Sequence, residues 1–250
     1  MINRFARAEL AAALSAQAIT LAYQPQVDLA GGAVVGVEAL ARWVCPQRGA
    51  QAPAQFLPAF REAGLSQRLA RMLLAQAAVA SRKVGVAVWV NLDLADALDP
   101  RFAREARLIL AEAGAKTEDL VIEIAEDDLA TLGAPGWAAA ERLRAAGLRL
   151  ALDGRGAARI ALDGRARALF CALKTGGPAM LAAARTLEAA PIAAPIRRLA
   201  AAQAAGLITV AVGAETEESL DRLAAWGFDR AQGAAIAAPA PLAEMQRRAA

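Results

Sequence analysis

The sequence predicts an α/β protein, a single-domain TIM-like (β/α)8 barrel, and three observations support this fold class. Eight short apolar segments of strand length alternate with helical segments along the chain. The 250 residues are a natural length for one such barrel. Because 57% of the residues are hydrophobic and only 21% are charged, the chain can bury a large core and is not expected to be disordered.

The first part of the chain is predicted to form a β-hairpin flanked by two helices. Pro25 within the first strand favours a sheet edge or a strand end, because proline donates no hydrogen bond to a neighbouring strand. Gly31-Gly32 suits the tight turn that joins the two strands. The elements expected here are an amphipathic helix over 3–17, strands over 21–29 and 33–40, a loop over 46–53 and one helix over 54–82.

The remaining chain alternates strands with helices, and most of these strands finish on a polar residue. This repetition is the pattern of parallel strands connected by crossover helices. The expected strands are 84–92, 119–126, 147–153, 168–174, 206–212 and 228–236, and the expected helices are 100–113, 134–146, a short helix within 154–167, 178–189, 196–205, 215–225 and a last helix from 241.

The composition excludes several classes of site. There is no histidine, which rules out His-ligated zinc, Ser-His-Asp chemistry and a histidine general base. The two cysteines, Cys45 and Cys171, are far apart and are expected to be free thiols in a reducing compartment. A net charge of +3 suits an anionic ligand. The arginines are spread along helices without a dense basic run, so neither DNA nor RNA is an expected partner.

No signal peptide opens the sequence, and no charge-free apolar run reaches 18 residues. We therefore expect a cytoplasmic protein, or the cytoplasmic domain of a membrane-associated one. We treat residues 1–250 as one domain and allow for its being the excised C-terminal part of a longer signalling protein.

Polar side chains at the strand ends predict a shared site. In a barrel of parallel strands the carboxyl ends converge on one face, so side chains at these ends are expected to surround one pocket. Carboxylate and amide oxygens are the ligands that Mg²⁺, Mn²⁺ and Ca²⁺ prefer. Any one such residue is more often a polar group capping a loop, but six in register are hard to explain by coincidence. The six are Glu38, Asn91, Glu123, Asp153, Lys174 and Gln232.

An ordered series of motifs across the chain resembles the EAL domain family, the bacterial cyclic di-GMP phosphodiesterases and their degenerate relatives. A lone Glu-Ala-Leu tripeptide is a weak signal, whereas the same series of motifs on the corresponding strands is a strong one. The matching motifs are Tyr23-Gln24-Pro25, Glu38-Ala39-Leu40 with Arg42-Trp43 after it, Asn91, Glu123-Ile124-Ala125-Glu126, Leu152-Asp153, Lys174, Gly213-Ala214-Glu215-Thr216-Glu217 and Gln232-Gly233.

The resemblance implies a role for each of these positions. One divalent cation, Mg²⁺ or Mn²⁺, would polarise a phosphodiester and lower the pKa of a bound water. Lys174 would be the remaining catalytic residue, holding charge near the scissile phosphate, and Glu126 would orient the loop after Asp153. The implied metal ligands are Glu38, Asn91, Glu123 and Asp153, and the implied ligand-binding residues are Gln24, Leu40, Arg42 and Gln232.

Two departures from the family pattern affect hydrolysis directly. The second Asp of the family's Asp-Asp-Phe-Gly-Thr-Gly segment, which helps to hold a second metal, is Gly154. The Glu of its Ala-Glu-Gly segment, the usual candidate for the general base, is Val212. Thr175-Gly176 also replaces the usual Ile-Asp after the lysine. Loss of a general base typically slows a reaction by about 10²–10⁴-fold.

Three functions remain open from the sequence. The first is a degenerate EAL domain that binds cyclic di-GMP without efficient hydrolysis and signals to a protein partner. The second is an active, Mg-dependent cyclic di-GMP phosphodiesterase. The third is a scaffold that binds no nucleotide and works through protein contacts. A homodimer is compatible with each. We rank the first slightly above the third, and both above the second.

Overall fold

A closed barrel of eight strands forms the centre of the molecule. The computed structural model describes residues 5–154, 160–176 and 193–249. In this part of the chain the strands are β1 (Ile19–Asp28), β2 (Val34–Cys45), β3 (Gly49–Gln51), β4 (Ala87–Leu92), β5 (Leu120–Ala125), β6 (Arg149–Gly154), β7 (Phe170–Gly176), β8 (Ile208–Val212) and β9 (Arg230–Gln232). Their order is β1-β9-β8-β7-β6-β5-β4-β2-β3, and pairing between β1 and β2 closes the barrel with β3 outside it. The predicted fold class is confirmed.

Helices pack around the outside of the barrel, as the alternating sequence pattern predicts. A short 3₁₀ turn, Leu94–Leu98, follows β4, and another, Thr117–Asp119, directly precedes β5. The helices in the described part of the chain are α1 (Arg7–Ser15), α2 (Pro53–Glu62), α3 (Ser66–Val84), α4 (Arg101–Glu112), α5 (Glu126–Ala145), α6 (Gly164–Leu169), α7 (Ala193–Ala204), α8 (Glu217–Ala225) and α9 (Leu242–Ala249). None of the described helices is both long and apolar enough to cross a bilayer.

The first strand runs opposite to the other seven strands of the barrel. β1 is antiparallel to both β2 and β9, whereas β2 and β4 to β9 are parallel to one another. This direction follows from the hairpin at Gly31-Gly32, because Gly32 has a φ of +72° and the Gly31 N–H donates to Asp28 at 2.9 Å. The first two strands are therefore joined by a turn, with no helix between them.

Two apolar layers stabilise the barrel. Inside it, Trp89, Val121, Ala151, Ala172 and Val210 form one cluster contributed by five neighbouring strands. A larger cluster lies between the strands and α3, α4 and α5. Because side chains alternate between the two faces of a strand, residues two positions from the inner cluster also point into the barrel. This alternation directs the polar strand-end residues into the barrel mouth.

A separate aromatic cluster covers the outer side of β2. Trp43 packs against Phe5, Phe56 and Phe60 with ring centroids 4.9, 5.7 and 6.2 Å apart, and all four side chains are buried. Tilted and edge-on aromatic pairs of this kind contribute about 0.5–1.5 kcal/mol each beyond their area burial. The cluster therefore fixes α2, and the segment that leads into α1, against the strand that presents Glu38.

Several predicted element boundaries are wrong. The helix expected over 54–82 is two helices, because Gly64 adopts a φ of +67° that ends α2. Glu126 is the first residue of α5 and not the last residue of a strand, and α5 continues through a kink at Gly133 to Ala145. The last strand covers only Arg230–Gln232. The helix expected over 178–189 lies outside the described residues.

Candidate functional site

Polar side chains from several strands meet at the carboxyl end of the barrel. Glu38, Asn91, Glu123 and Lys174 come from β2, β4, β5 and β7, and the structure brings them together with Gln232 from β9. Asn91 and Glu123 lie level in the sheet register. The buried apolar cluster described above closes the barrel interior beneath them. The site is thus a polar layer above an apolar floor.

Lys174 lies at the centre of this layer, between two carboxylates. Its Nζ is 2.8 and 2.7 Å from Glu123 Oε1 and Oε2, and 3.0 Å from Glu38 Oε2. The Asn91 side-chain amide donates to Glu38 Oε1 at 2.7 Å. The side chains of Lys174, Glu123 and Glu38 are only 3%, 1% and 10% exposed. Buried charges of this kind are stable only when they are paired and hydrogen-bonded.

A row of glutamines extends the network toward the hairpin. Gln232 Nε2 donates to Glu38 Oε2 at 2.6 Å and to Gln24 Oε1 at 2.9 Å. Gln24 in turn donates to the Ala237 carbonyl at 3.0 Å, and Gln26 donates to Gln232 Oε1 at 3.3 Å. Gln26 was not among the predicted site residues. It lies two residues after Gln24 on the same strand, so the alternation of side chains along a strand could have predicted that both face the barrel interior.

Burial and pairing shift the pKa values of the three central groups. Burial, together with the charges of Glu38 and Asp153, raises the pKa of Glu123 to about 8 despite Lys174. Burial also opposes ionisation of Glu38, but Lys174 and the Gln232 and Asn91 hydrogen bonds outweigh it and lower the pKa of Glu38. Desolvation disfavours the ammonium, yet the two carboxylates raise the pKa of Lys174. One lysine cation therefore balances one firmly ionised and one weakly ionised acid.

Leu40 and Arg42, both on β2, line two separate cavities. Leu40, Glu38 and Asn91 line a cavity of about 340 Å³ between β2 and the helices α2 and α3. Its walls are largely apolar, and its outer rim carries an ion pair between Arg61 and Asp93. Arg42 lines a different cavity of about 480 Å³, whose other residues include Thr20, Tyr23, Gln76 and Pro239 to Leu242. In this arrangement Arg42 and Leu40 do not share one cavity.

Asp153 and Glu126 lie at the neighbouring strand ends. Asp153 is level with Lys174 in the register and close enough to Glu123 to raise its pKa. Glu126 is 3% exposed, and its Oε1 accepts the Ile160 N–H at 2.8 Å. It also forms an ion pair at 2.6 Å with Arg198, a residue that the sequence analysis did not identify. Nothing in the sequence marked Arg198, because its partner is 72 residues away.

Comparison with known proteins assigns the family. The EAL domain model matches residues 7–239, which is nearly the whole chain. The chain belongs to the EAL domain family. Its homologues in this family include cyclic di-GMP phosphodiesterases.

Two similar sequences show how much of each protein the match covers. The uncharacterized protein y4lL of Sinorhizobium fredii is 30% identical over 235 residues, covering 93% of this chain and 28% of that protein. The cyclic di-GMP phosphodiesterase RocR of Pseudomonas aeruginosa is 29% identical over 224 residues, covering 88% of this chain and 57% of RocR. This chain therefore spans between about a quarter and three fifths of the length of such relatives.

Solved EAL structures share the fold. The PaMucR phosphodiesterase in complex with c-di-GMP superposes with a TM-score of 0.83 at 25% identity, covering 95% of this chain and 98% of that chain. The FimX EAL domain of Pseudomonas aeruginosa bound to c-di-GMP gives a TM-score of 0.81 at 22% identity, covering 93% and 95%. The second likeness is evidence for the fold alone.

Two positions of this EAL domain, 154 and 212, carry no acid where the family pattern has one. Val212 ends β8, level with Gln232 on one side and Gly176 on the other. A Cβ placed on Gly176 would lie 2.7 Å from the Val212 carbonyl oxygen, so β7 and β8 approach too closely there for a larger residue. A Cβ on Gly154 would lie 3.0 Å from Glu126 Oε2. The chain packs tightly at both positions.

The donors around Lys174 match a divalent cation in type but not in arrangement. In the part of the chain that is described, no three His, Cys, Asp or Glu side chains are placed to hold a metal ion. Lys174 already contacts both Glu38 and Glu123, and Asn91 presents its N–H₂ group to Glu38. A cation with oxygen ligands would have to displace the lysine ammonium. As arranged, these residues fit an internal ion-pair network better than a metal centre.

Proposed function

We propose that this EAL domain is a cyclic di-GMP receptor that does not hydrolyse the dinucleotide efficiently and that signals to a protein partner. The observation that carries the proposal is the contrast between two sets of positions. The network of Gln24, Glu38 and Gln232 is complete, with hydrogen bonds of 2.6 and 2.9 Å. Positions 154 and 212, which the family resemblance associates with hydrolysis, carry glycine and valine.

The site offers the chemistry that a cyclic dinucleotide requires. Gln24 and Gln232 bring amide donors and acceptors to the barrel mouth, where they can be re-paired with the polar edges of a ligand. Arg42 is half-buried and carries a guanidinium, the group best suited to a phosphate. The cavity beside Leu40 is about 340 Å³ and mainly apolar, which is within the range of small-molecule pockets and suits a planar base.

Inefficient hydrolysis follows from the absence of a carboxylate at positions 212 and 154. Valine at position 212 cannot accept a proton from an attacking water, and loss of a general base costs about 10²–10⁴-fold in rate. Glycine at position 154 has no side chain with which to bind a cation. Loss of a second metal would remove further stabilisation of the leaving oxygen. The two losses act on different groups in the same transition state, the attacking water and the leaving oxygen, so their effects on the barrier combine.

One divalent cation, Mg²⁺ or Mn²⁺, is the cofactor that we allow for in this proposal. Glu38, Asn91, Glu123 and Asp153 are the residues that would hold it. Because Lys174 is 2.7 and 3.0 Å from two of these acids, we expect the cation to compete with the ammonium and to bind weakly. Ligand binding in this proposal does not depend on the metal.

Hydrolysis is the second candidate function, favoured by the 29% identity to RocR, a cyclic di-GMP phosphodiesterase.

Isothermal titration of the chain with cyclic di-GMP, once in the presence of Mg²⁺ and once in the presence of a chelator, tests the receptor proposal directly. We expect saturable binding under both conditions. No heat at tens of micromolar ligand under either condition would contradict the proposal and leave the scaffold function. Arg42→Ala and Gln232→Ala should each weaken binding, and exposed Arg101→Ala is the matched control.

A further inference from the structure

Arg198 contacts both Glu126 and Ile160 at the edge of the candidate site, and these two residues also contact each other. Its Nη2 lies 2.6 Å from Glu126 Oε1, and its Nη1 donates to the Ile160 carbonyl at 2.8 Å. The Ile160 N–H donates back to Glu126 Oε1 at 2.8 Å. Both backbone groups of Ile160 are thus bound by one ion pair. We call Arg198, Glu126 and Ile160 the arginine clamp.

The arginine clamp is buried enough for its contacts to be strong. The side chains of Arg198 and Glu126 are 14% and 3% exposed, so water competes little for either charge. Charge-assisted hydrogen bonds in such surroundings are roughly twice as strong as neutral ones. A planar guanidinium can serve a carboxylate and a carbonyl at once, which a lysine ammonium does poorly. The geometry therefore depends on arginine at position 198.

The arginine clamp joins three elements that border the site. Glu126 directly follows β5, the strand that carries Glu123. The other carboxylate oxygen, Oε2, lies 3.0 Å from where a Cβ on Gly154 would stand, so Glu126 also packs against the end of β6 next to Asp153. Arg198 belongs to α7, on the outside of the barrel. A displacement of α7 would therefore shift Glu126, through its contact with Arg198, and with it the ends of β5 and β6.

We propose that Arg198 is a positioning residue for the ligand site. Through Glu126 it anchors Ile160 at the β5–α5 junction and fixes the end of β6 that presents Asp153. It does not touch the ligand. Its effect on ligand affinity rests on the proposed function, whereas its effect on Ile160 does not.

Amide hydrogen exchange of Ile160 tests the arginine clamp without any ligand. Selective ¹⁵N-isoleucine labelling gives signals from only ten residues, and Ile109 in α4 reports global opening. In Arg198→Met we expect exchange at Ile160 to rise at least about tenfold relative to Ile109. Arg197→Met changes the exposed neighbour on the same helix and should leave the ratio within about twofold. An unchanged ratio in Arg198→Met, or an equal rise in Arg197→Met, overturns the proposal.

Two further comparisons keep the proposal testable if Arg198→Met does not fold, and test whether Arg198 and Glu126 act together. Arg198→Lys keeps the charge but cannot reproduce both contacts, so we expect an intermediate exchange rate at Ile160. If Arg198→Met does not fold, wild-type exchange in Arg198→Lys overturns the proposal instead. When Arg198→Met is added to Glu126→Gln, the exchange rate at Ile160 should increase little further, because the two residues act as one unit. A full additional tenfold rise would show that they act independently and would contradict the clamp.

Ligand affinity supplies the second readout. We expect Arg198→Met to weaken cyclic di-GMP binding about 5–10-fold, with Arg197→Met unchanged. Unchanged affinity together with faster Ile160 exchange overturns the link to the ligand site. If the wild-type chain binds no cyclic di-GMP, the proposed function fails, and the exchange ratio alone still decides whether Arg198 positions Ile160.

Discussion

Replacing Lys174 by methionine should destabilise the protein strongly, because it leaves two buried acids, Glu38 and Glu123, without the cation that both of them contact. The lysine contacts Glu123 at 2.7 Å and Glu38 at 3.0 Å, and all three side chains are at most 10% exposed. At such distances the attraction between two full charges is about 6 kcal/mol per pair at an effective dielectric constant near 20, before desolvation is subtracted. Breaking a buried pair by removing one partner costs about 3–5 kcal/mol. We expect that loss in the free energy of unfolding at pH 8.

The pH dependence of this loss identifies its cause. At pH 5 a large part of the penalty should disappear, because removing Lys174 takes away the largest influence that lowers the pKa of Glu38 against its burial. Glu38 can then take up a proton in the folded state, and this costs least near its ordinary pKa of 4.5. Urea unfolding of wild type and Lys174→Met at pH 5 and pH 8 measures both values. Lys116→Met is the matched control, since Lys116 is 75% exposed and its pair with Glu118 spans 3.6 Å. Its expected cost is below about 1 kcal/mol. Equal costs for the two variants at both pH values would refute the reasoning.

Three other outcomes are expected. Burial raises the pKa of Glu123 to about 8 from an ordinary 4.5, so the folded state keeps a proton that the unfolded chain releases above about pH 4.5. Wild-type stability should therefore fall between pH 4.5 and 8, and Glu123→Gln should remove that part of the decline in unfolding experiments; identical slopes would contradict this. Gly176→Ala should cost about 1–3 kcal/mol, because the new Cβ would lie 2.7 Å from the Val212 oxygen, whereas Gly164→Ala, with no heavy atom within 4 Å, should be nearly neutral by thermal unfolding. Val212→Glu alone should yield no linear dinucleotide by chromatography, since position 154 still lacks a carboxylate; clear turnover would count against that reasoning.

The fold and the centre of the site could be predicted because both depend on local patterns. Alternation of strands and helices fixes which strand ends share a face, and this is why Glu38, Asn91, Glu123 and Lys174 were expected together. Their positions on the inner face follow from the period-two alternation of a strand. The family resemblance added the roles, which remain proposals.

Other features depend on contacts that no local pattern reveals. The pairing of Arg198 with Glu126 joins residues 72 apart in sequence, and Arg198 alone has the pattern of an ordinary helix charge. The break between α2 and α3 depends on Gly64 adopting a positive φ, whereas the apolar stripe continues across it. Lys174 was expected near a phosphate, but the structure places it between two carboxylates, because only folding shows which charges become buried together.

Equilibrium dialysis against cyclic di-GMP and Mg²⁺, followed by chromatography of the nucleotide recovered from both chambers, tests the central claim most directly. We predict an excess of nucleotide in the protein chamber, in proportion to protein concentration, all of it recovered as the intact cyclic form. Steady accumulation of the linear dinucleotide, at a rate that scales with protein and is abolished in Glu38→Ala, would contradict it.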